Sequence, residues 1–394
     1  MSLASLAGLM ALAAWGWLLT MRGGFWRVEP AVRRPPPAEW PEVVAVIPAR
    51  DEATVIGDAV ESLLSQNYPG RVSVVVVDDH SGDGTAEIAQ ARAESLGVAA
   101  RLTVVRAPDL PPGWTGKMWA QHHGVATARA LRPDAGLLLL TDADIGHGKG
   151  ELRHMVARLL GERLDMASLM VRLRARTLWE QAIVPAFVFF FRMLYPFSWV
   201  SDPRSTTAAA AGGYVLIRPA MLERIGGVKA VRDALIDDCT LAARVKEKGG
   251  RLSLDLAEET VSLRGYDGPE GLWRMISRSA YTQLRHSPVL LAGTVASMLL
   301  VFVAPPLLAL RGHGGSTAGA LAWAAMTLAY LPMIRHYRLP PFWAPLLPAV
   351  ALFYLGATIH SAVRYWQGGG GEWKGRIQDG LAGAAPEGSG GPSS

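Results

Sequence analysis

An α/β domain on a mostly parallel sheet, joined to membrane helices at both ends, is the fold class that this sequence predicts. Two observations carry it. Between residues 43 and 140, short apolar strands alternate with segments of helical period, and long runs almost free of charge lie near the two ends of the chain. The chain has 394 residues, half of them hydrophobic. It is too long for one small domain and too apolar for a wholly soluble protein.

The first run, "SLASLAGLMALAAWGWLLT" from Ser2 to Thr20, carries no charge and is close to the roughly 20 residues a helix needs to cross a bilayer. A cleaved signal peptide would carry Lys or Arg ahead of its apolar core, whereas here the positive residues come after it. Residues 1–21 are therefore expected to be an anchor with its N-terminus outside and the domain beyond it in the cytoplasm. Residues 22–41 form a linker whose "RPPPAEWP" is stiff.

Within residues 42–287, "VVAVI" (Val43 to Ile47), "VSVVVV" (Val72 to Val77), "RLTVV" (Arg101 to Val105) and "GLLLL" (Gly136 to Leu140) read as strands. Ala53 to Gln66, Gly84 to Leu96 and Lys117 to Leu131 read as the helices between them. Strands that are apolar throughout argue for parallel pairing under helices on both faces. The stretch "AIVPAFVFFFRMLYPFSWV", Ala182 to Val200, is apolar but contains Arg192. A crossing there would put Asp142 and Asp237 on opposite sides of a membrane. An in-plane interfacial helix with Arg192 near the headgroups avoids this, and a buried core helix is the alternative.

Three more candidate spans, Val289 to Leu310, Thr317 to Ile334 and Phe342 to Val363, make residues 288–364 a membrane region, with kinks expected at Pro305-Pro306, Pro345 and Pro348. A basic, then Gly/Ser-rich tail occupies 365–394. Three full crossings would place that tail outside, against the positive-inside bias, so the sequence leaves open whether one segment is re-entrant.

The net charge of +5 is placed unevenly. Arg22, Arg27, Arg33 and Arg34, then Arg335, His336 and Arg338, then Arg364, Lys374 and Arg376 flank the apolar segments. Such clusters suit anionic lipid headgroups, and no aromatic-basic motif argues for nucleic acid. The single Cys239 excludes an intramolecular disulfide framework and a Cys-rich zinc site, and a reducing compartment is the simpler expectation.

Open α/β sheets bind ligands beyond the carboxyl ends of their strands. Here those ends read "PARDE", "DDHSGDGT" and "TDADIG", three acidic segments whose mutual repulsion a cation or hydrogen-bonding ligand would offset. Asp142 and Asp144, just past a strand, can both lean toward Mg²⁺ or Mn²⁺, ions that complete their shell with water and phosphate oxygens. Asp79 could accept from a base N–H, while Asp83 and Thr85 suit turn and cap work. Lys117 opens a helix, where a cation opposes the dipole unless something anionic lies there, so a diphosphate contact competes with a solvated surface lysine.

Asp237 and Asp238 open another helix. Capping explains one of them, and the other could serve as a general base toward an acceptor hydroxyl. Arg274 and Arg278 share a helix face, and snorkelling to headgroups is preferred for them over phosphate binding.

The ordered set "VIPARDE", "VVDDHSGDGT", "DAD" and "IDDCTLAARV" resembles the family 2 glycosyltransferases of the GT-A fold, over roughly Val43 to Ser287. The resemblance implies that Pro48, Arg50 and Glu52 cradle the nucleobase, that Asp79 pairs with it, and that Lys117 lies near the diphosphate. It also implies a DxD metal site at Asp142 and Asp144 for a divalent cation, Mg²⁺ or Mn²⁺. Asp238 falls on the acceptor-activating base, with Asp237 in place of the more usual Glu. The donor implied is a nucleotide sugar, taken as a UDP-sugar.

Processive polysaccharide synthases of this family carry a (Q/R)xxRW motif, which this chain lacks because Ser279, not Trp, comes after Arg278. Single transfer to a membrane lipid fits better. "PPGWTGKMWA", "DPRSTTAAAAGGY" and "RSAYTQLRHSP" most resemble the bacterial hopanoid-biosynthesis-associated glycosyltransferases, with ceramide glucosyltransferase-like enzymes more distant. That implies a multi-pass protein of the bacterial inner membrane with a cytoplasmic catalytic domain and a hopanoid acceptor.

Two other readings stay open from the sequence. "LLLLTDADIG" also resembles the DxDx(T/V) segment of phosphotransferases that form an aspartyl phosphate, here on Asp142, although Gly146 stands where Thr or Val is wanted. A membrane protein that binds a nucleotide sugar or lipid without turnover is the other.

Overall fold

The valine and leucine runs become the first four strands of an eight-stranded sheet: β1 (Val43–Ala49), β2 (Val72–Asp78), β3 (Leu102–Arg106) and β4 (Leu137–Leu140), followed by β5 (Ile145–Gly146), β6 (Met166–Arg172), β7 (Val215–Ile217) and β8 (Leu252–Ser262). The computed structural model describes residues 2–368 except Asp267 and His313, and the backbone of 372–373 and 376–377. Most of the basic, Gly/Ser-rich tail expected over 365–394 lies outside the described residues. The strand order is β3-β2-β1-β4-β7-β6-β8-β5.

The first half matches expectation, since β3, β2, β1 and β4 are all parallel. The second half does not. β7 runs antiparallel to both β4 and β6, β6 and β8 are parallel, and β5 is antiparallel to β8. The sheet is mixed, with four of its seven strand pairings parallel, so it remains mostly parallel as expected. The reversal hangs on β7, and a three-residue strand is too short for its apolar period to stand out in sequence.

The sheet's two faces separate cleanly. Val43, Ala45 and Ile47 face Ile56, Val60 and Leu63 of the helix Ile56–Leu64. Val44 and Val46, pointing the other way by strand alternation, belong to a core that also contains Met118 and Ala120, then Phe189, Phe302 and Tyr330. That second core continues without a break into the apolar helices.

Among the described residues, four helices are long and apolar enough to cross a membrane: Leu3–Met21, Pro288–Arg311, Ser316–His336 and Pro341–Trp366. Irregular turns stand near Pro305-Pro306 and at Pro345, whereas Pro348 lies in the first turn of a helix, where a proline is tolerated. Pro288–Arg311 passes through a π turn at Leu299–Val303, just before Pro305 and Pro306. Neither proline has an N–H to offer the Val301 carbonyl, and the Trp15 indole N–H donates to it instead at 2.9 Å. The first and second of these helices are thereby tied together. Pro341–Leu346 is a 3₁₀ turn leading into the helix Leu347–Trp366.

The apolar stretch 182–200 forms the helix Leu178–Leu194, opened by a capping box of Thr177 and Glu180, and the short helix Phe197–Ser201. It packs under the long helices. Phe189 meets Tyr330 at 5.1 Å between ring centres, Phe190 meets Tyr354 at 4.9 Å, and the Tyr354 hydroxyl donates to the Ile183 carbonyl at 3.0 Å. Arg192 does not point outward as the interfacial reading had it. It is only 6 % exposed, donates to the Arg27 carbonyl and lies over the Phe197 ring.

The helix Gly116–Leu131 lies closely on the second face. A Cβ on Gly124 would stand 2.5 Å from Val46 Cγ1 and 2.8 Å from Val77 Cγ2. Gly124→Ala is therefore expected to destabilise the protein by about 1–3 kcal/mol through overpacking, against the small gain from helix propensity. Thermal unfolding followed by tryptophan fluorescence checks this, and an unchanged or higher midpoint contradicts it.

Candidate active site

A cavity of about 640 Å³ opens past the carboxyl ends of β1 and β4. Seven of the nine site residues expected from sequence line it: Pro48, Glu52, Lys117, Asp142, Asp144, Asp237 and Asp238. The other two, Arg50 and Asp79, are held to each other just outside its lining. Arg50 Nη1 donates to the Asp79 carbonyl at 2.7 Å and lies 3.5 Å from its carboxylate.

Lys117 lies in the first turn of its helix, whose N-cap Thr115 accepts from the Met118 N–H. Its anionic neighbours are supplied by the protein itself. The ammonium is 2.9 Å from Asp142 and 3.2 Å from Asp237. Burial alone would lower its pKa, but Asp142, Asp237 and Asp238 together outweigh that and raise it, so the group is charged at any physiological pH.

Asp238 has both oxygens oriented by backbone donors, the Gly212 N–H at 2.8 Å and the Cys239 N–H at 2.7 Å. Burial, then the neighbouring Asp237 charge, pushes its pKa up to about 6 against the pull of Lys117. Gly212 is the floor between these groups. A Cβ there would lie 3.2 Å from Lys117 Nζ, 3.6 Å from Asp142 and 3.7 Å from Asp238.

Asp144 is also raised to about 6, by burial first and then by Asp142, with Arg264 opposing. Among the described residues, no group of three or more His, Cys, Asp or Glu side chains is arranged to hold a metal ion. A cation here would rest on the Asp142 and Asp144 pair.

The end of β4 is braced from behind. The Thr141 hydroxyl donates to the Gly213 carbonyl at 2.8 Å and lies 3.1 Å from His147 Nε2. Burial pushes the His147 pKa down to about 3, so the ring is neutral and donates to Thr141 through Nε2.

Three arginines line the cavity that sequence reasoning missed or misplaced. Arg264 joins Glu52 and Asp144 by ion pairs. No motif marks it, since it sits in an irregular segment after β8. Arg274 and Arg278, expected at the lipid surface, line the cavity together with Phe187, Phe191, Tyr266 and Met275. Their spacing on one helix face was visible in sequence. Which way that face points was not.

The mixed sheet with paired acids past its parallel strands belongs to a glycosyltransferase of the GT-A fold, as the family that the sequence matches shows. Residues 41–280 match the family described as glycosyltransferase like family 2, and the chain belongs to that family. The assignment goes to sugar transfer rather than to phosphotransfer through Asp142.

Among solved structures, a mannosyltransferase from Pyrobaculum calidifontis in complex with GDP-Man and Mn²⁺ is similar with a TM-score of 0.55 and 21% identity, covering 93% of this chain and 99% of that one. S. aureus TarS 1-349 in complex with UDP-GlcNAc has a TM-score of 0.38 and 14% identity over 85% of this chain and 95% of that one. Glucosyl-3-phosphoglycerate synthase from Mycobacterium tuberculosis, in complex with Mg²⁺ and uridine diphosphate, has a TM-score of 0.37 and 16% identity over 60% and 77%. No curated protein matches the sequence.

The two raised carboxyls have a consequence for stability. An acid whose folded pKa lies near 6 against an ordinary 3.8 binds its proton more tightly when folded, so its ionised form is a penalty above pH 6 that is relieved as pH falls. Asp238→Asn is expected to stabilise the ligand-free protein by about 2 kcal/mol at pH 7.5, a gain that shrinks as pH falls through 6 and is mostly lost by about pH 4. Melting curves at the two pH values check this, and a gain that grows toward acid contradicts it.

Proposed function

We propose that the protein transfers a sugar from a nucleotide sugar, a UDP-sugar, to a hydroxyl of a membrane lipid, a hopanoid, with inversion at the anomeric carbon. The observation that carries it is one cavity with two kinds of lining. Lys117, Asp142, Asp144 and Asp238 form a charged set, and Phe187, Phe191 and Met275 an apolar one. The first suits a nucleoside diphosphate sugar and the second an apolar acceptor.

A divalent cation, Mg²⁺ or Mn²⁺, fits the pair Asp142 and Asp144. Hard cations need few protein carboxylates when donor oxygens and water complete the shell. The burial and like charge that raise Asp144 are what such an ion would relieve. When bound, it supplies neutralising charge for the departing diphosphate. The mannosyltransferase of similar fold is named with a nucleotide sugar and Mn²⁺, which favours the same donor class here.

The chain's own residues do the rest. Asp238 takes the proton of the acceptor hydroxyl. Its pKa near 6 leaves it ionised at neutral pH yet more basic than an ordinary carboxylate. The Gly212 and Cys239 N–H groups hold it in one orientation. Lys117 keeps Asp142 and Asp237 in place and puts a positive charge beside the leaving group. Pro48 and Glu52 take the nucleobase side, with Asp79 fixed by Arg50 behind them. The basic residues after the first anchor, Arg22, Arg27, Arg33 and Arg34, favour a cytoplasmic catalytic domain on a bacterial inner membrane.

Transfer from labelled UDP-sugars to lipid extract, assayed on membranes, tests the proposal. Asp238→Asn and Asp144→Asn are each expected to lose at least about 100-fold in kcat/KM. The wild type is expected to lose activity as pH falls through about 6, where Asp238 takes up its proton. Full activity in both variants would sink the proposal, and mass spectrometry of lipids from cells with and without the protein identifies the acceptor.

A further inference from the structure

Each carboxylate proposed for the donor's cation already has a side-chain cation on it. Lys117 stands 2.9 Å from Asp142, and Arg264 approaches Asp144 through Nε at 3.4 Å while its Nη2 bonds Glu52. Asp142 and Asp144 are thus each offset by a cation, and the surplus negative charge of the cavity lies on Glu52, Asp237 and Asp238. A guanidinium and a divalent ion on one carboxylate repel each other, so each weakens the other's hold there.

The two resident cations are not equivalent. Lys117 is wedged between Asp142 and Asp237 with its side chain 17% exposed. Arg264 is held at its backbone and, through Nη2, by Glu52, while its contact with Asp144 is the longer of its two ion pairs. The Leu263 N–H donates to the Asp144 carbonyl at 2.7 Å, and the Tyr266 N–H to Glu180 at 2.9 Å, which fixes the chain on both sides. Its side chain is 41% exposed and borders the cavity, with room to turn.

We propose that Arg264 is the resident cation of the empty donor site: it neutralises Asp144 and Glu52 until a divalent ion arrives with the nucleoside diphosphate, then gives up Asp144 to the ion. This rests on the metal-dependent reading above and deepens it. The diphosphate brings the negative charge that makes the exchange favourable, so ion and donor bind as a coupled pair. Arg264, released from Asp144, remains on the wall of the same cavity, where diphosphate oxygens offer it a new partner. Arg264 is thus a positioning residue that sets when Asp144 becomes available.

Binding, not turnover, tests this. Full-length protein in detergent is titrated with Mn²⁺ at pH 8, where Asp144 is ionised, with and without UDP, comparing wild type, Arg264→Gln and Arg264→Lys. Without UDP, Arg264→Gln is expected to bind Mn²⁺ about fivefold more tightly than wild type, the order of one lost competing ion pair. UDP should improve wild-type affinity more than that of the Gln variant, with Arg264→Lys in between. A merely structural arginine would not tighten ion binding when removed. Equal Mn²⁺ affinity in wild type and Arg264→Gln, with wild-type binding measurable, overturns the inference and leaves the metal reading standing. No Mn²⁺ uptake by any of the three, even with UDP, defeats both.

Discussion

A single buried ammonium, that of Lys117, joins the two halves of the site. Asp142 comes off the last strand of the parallel half of the sheet, and Asp237 opens a helix that the chain reaches only after β6, the helix Leu178–Leu194 and β7. Without a cation between them, Asp142, Asp237 and Asp238 would be carboxylates sharing one poorly solvated space, and one of them would have to give up its charge. The lysine is held where it must be by the sheet. Its helix lies close on β1 and β2 because Gly124 has no Cβ to keep it away. Helix packing thus fixes the cation, and the cation fixes the acids.

Much of this was legible in the sequence, for physical reasons. Apolar strands without alternation can only be buried on both faces, and an open α/β sheet places its ligand beyond their carboxyl ends, so "PARDE" and "TDADIG" could be read as site segments before any fold was known. Seven of the nine residues named from the sequence lie along one cavity. Lys117 was informative because a lysine at a helix N-terminus is electrostatically misplaced unless it has anions to meet. It meets two carboxylates of its own chain.

What was not legible depends on direction or on distance in sequence. β5 and β7 are two and three residues long, too short to show a period, so the antiparallel half of the sheet stayed hidden. Arg264 lies 212 residues from Glu52, and nothing local in "SLRGYDG" says that it will reach back to β1's end. Arg192, Arg274 and Arg278 share a different difficulty. A basic residue in an apolar or amphipathic segment reads as a headgroup contact whenever the segment is near a membrane. Only tertiary packing reveals that Arg192 turns inward to a carbonyl and that the other two border a cavity.

The continuity of the second core decides how the apolar helices relate to the chemistry. Were they a detachable anchor, the face of the sheet carrying Val44 and Val46 would be covered by soluble helices alone. Instead that face, the helix Leu178–Leu194 and the long helices form one apolar cluster, with Phe189 against Tyr330 and Phe190 against Tyr354. The same helix sends Phe187 and Phe191 to the cavity wall. One element therefore carries both the packing to the long apolar helices and part of the cavity's apolar lining. The lipid acceptor proposed above rests on this continuity more than on any single motif, because a substrate held among those helices while reaching that lining would be apolar over much of its length.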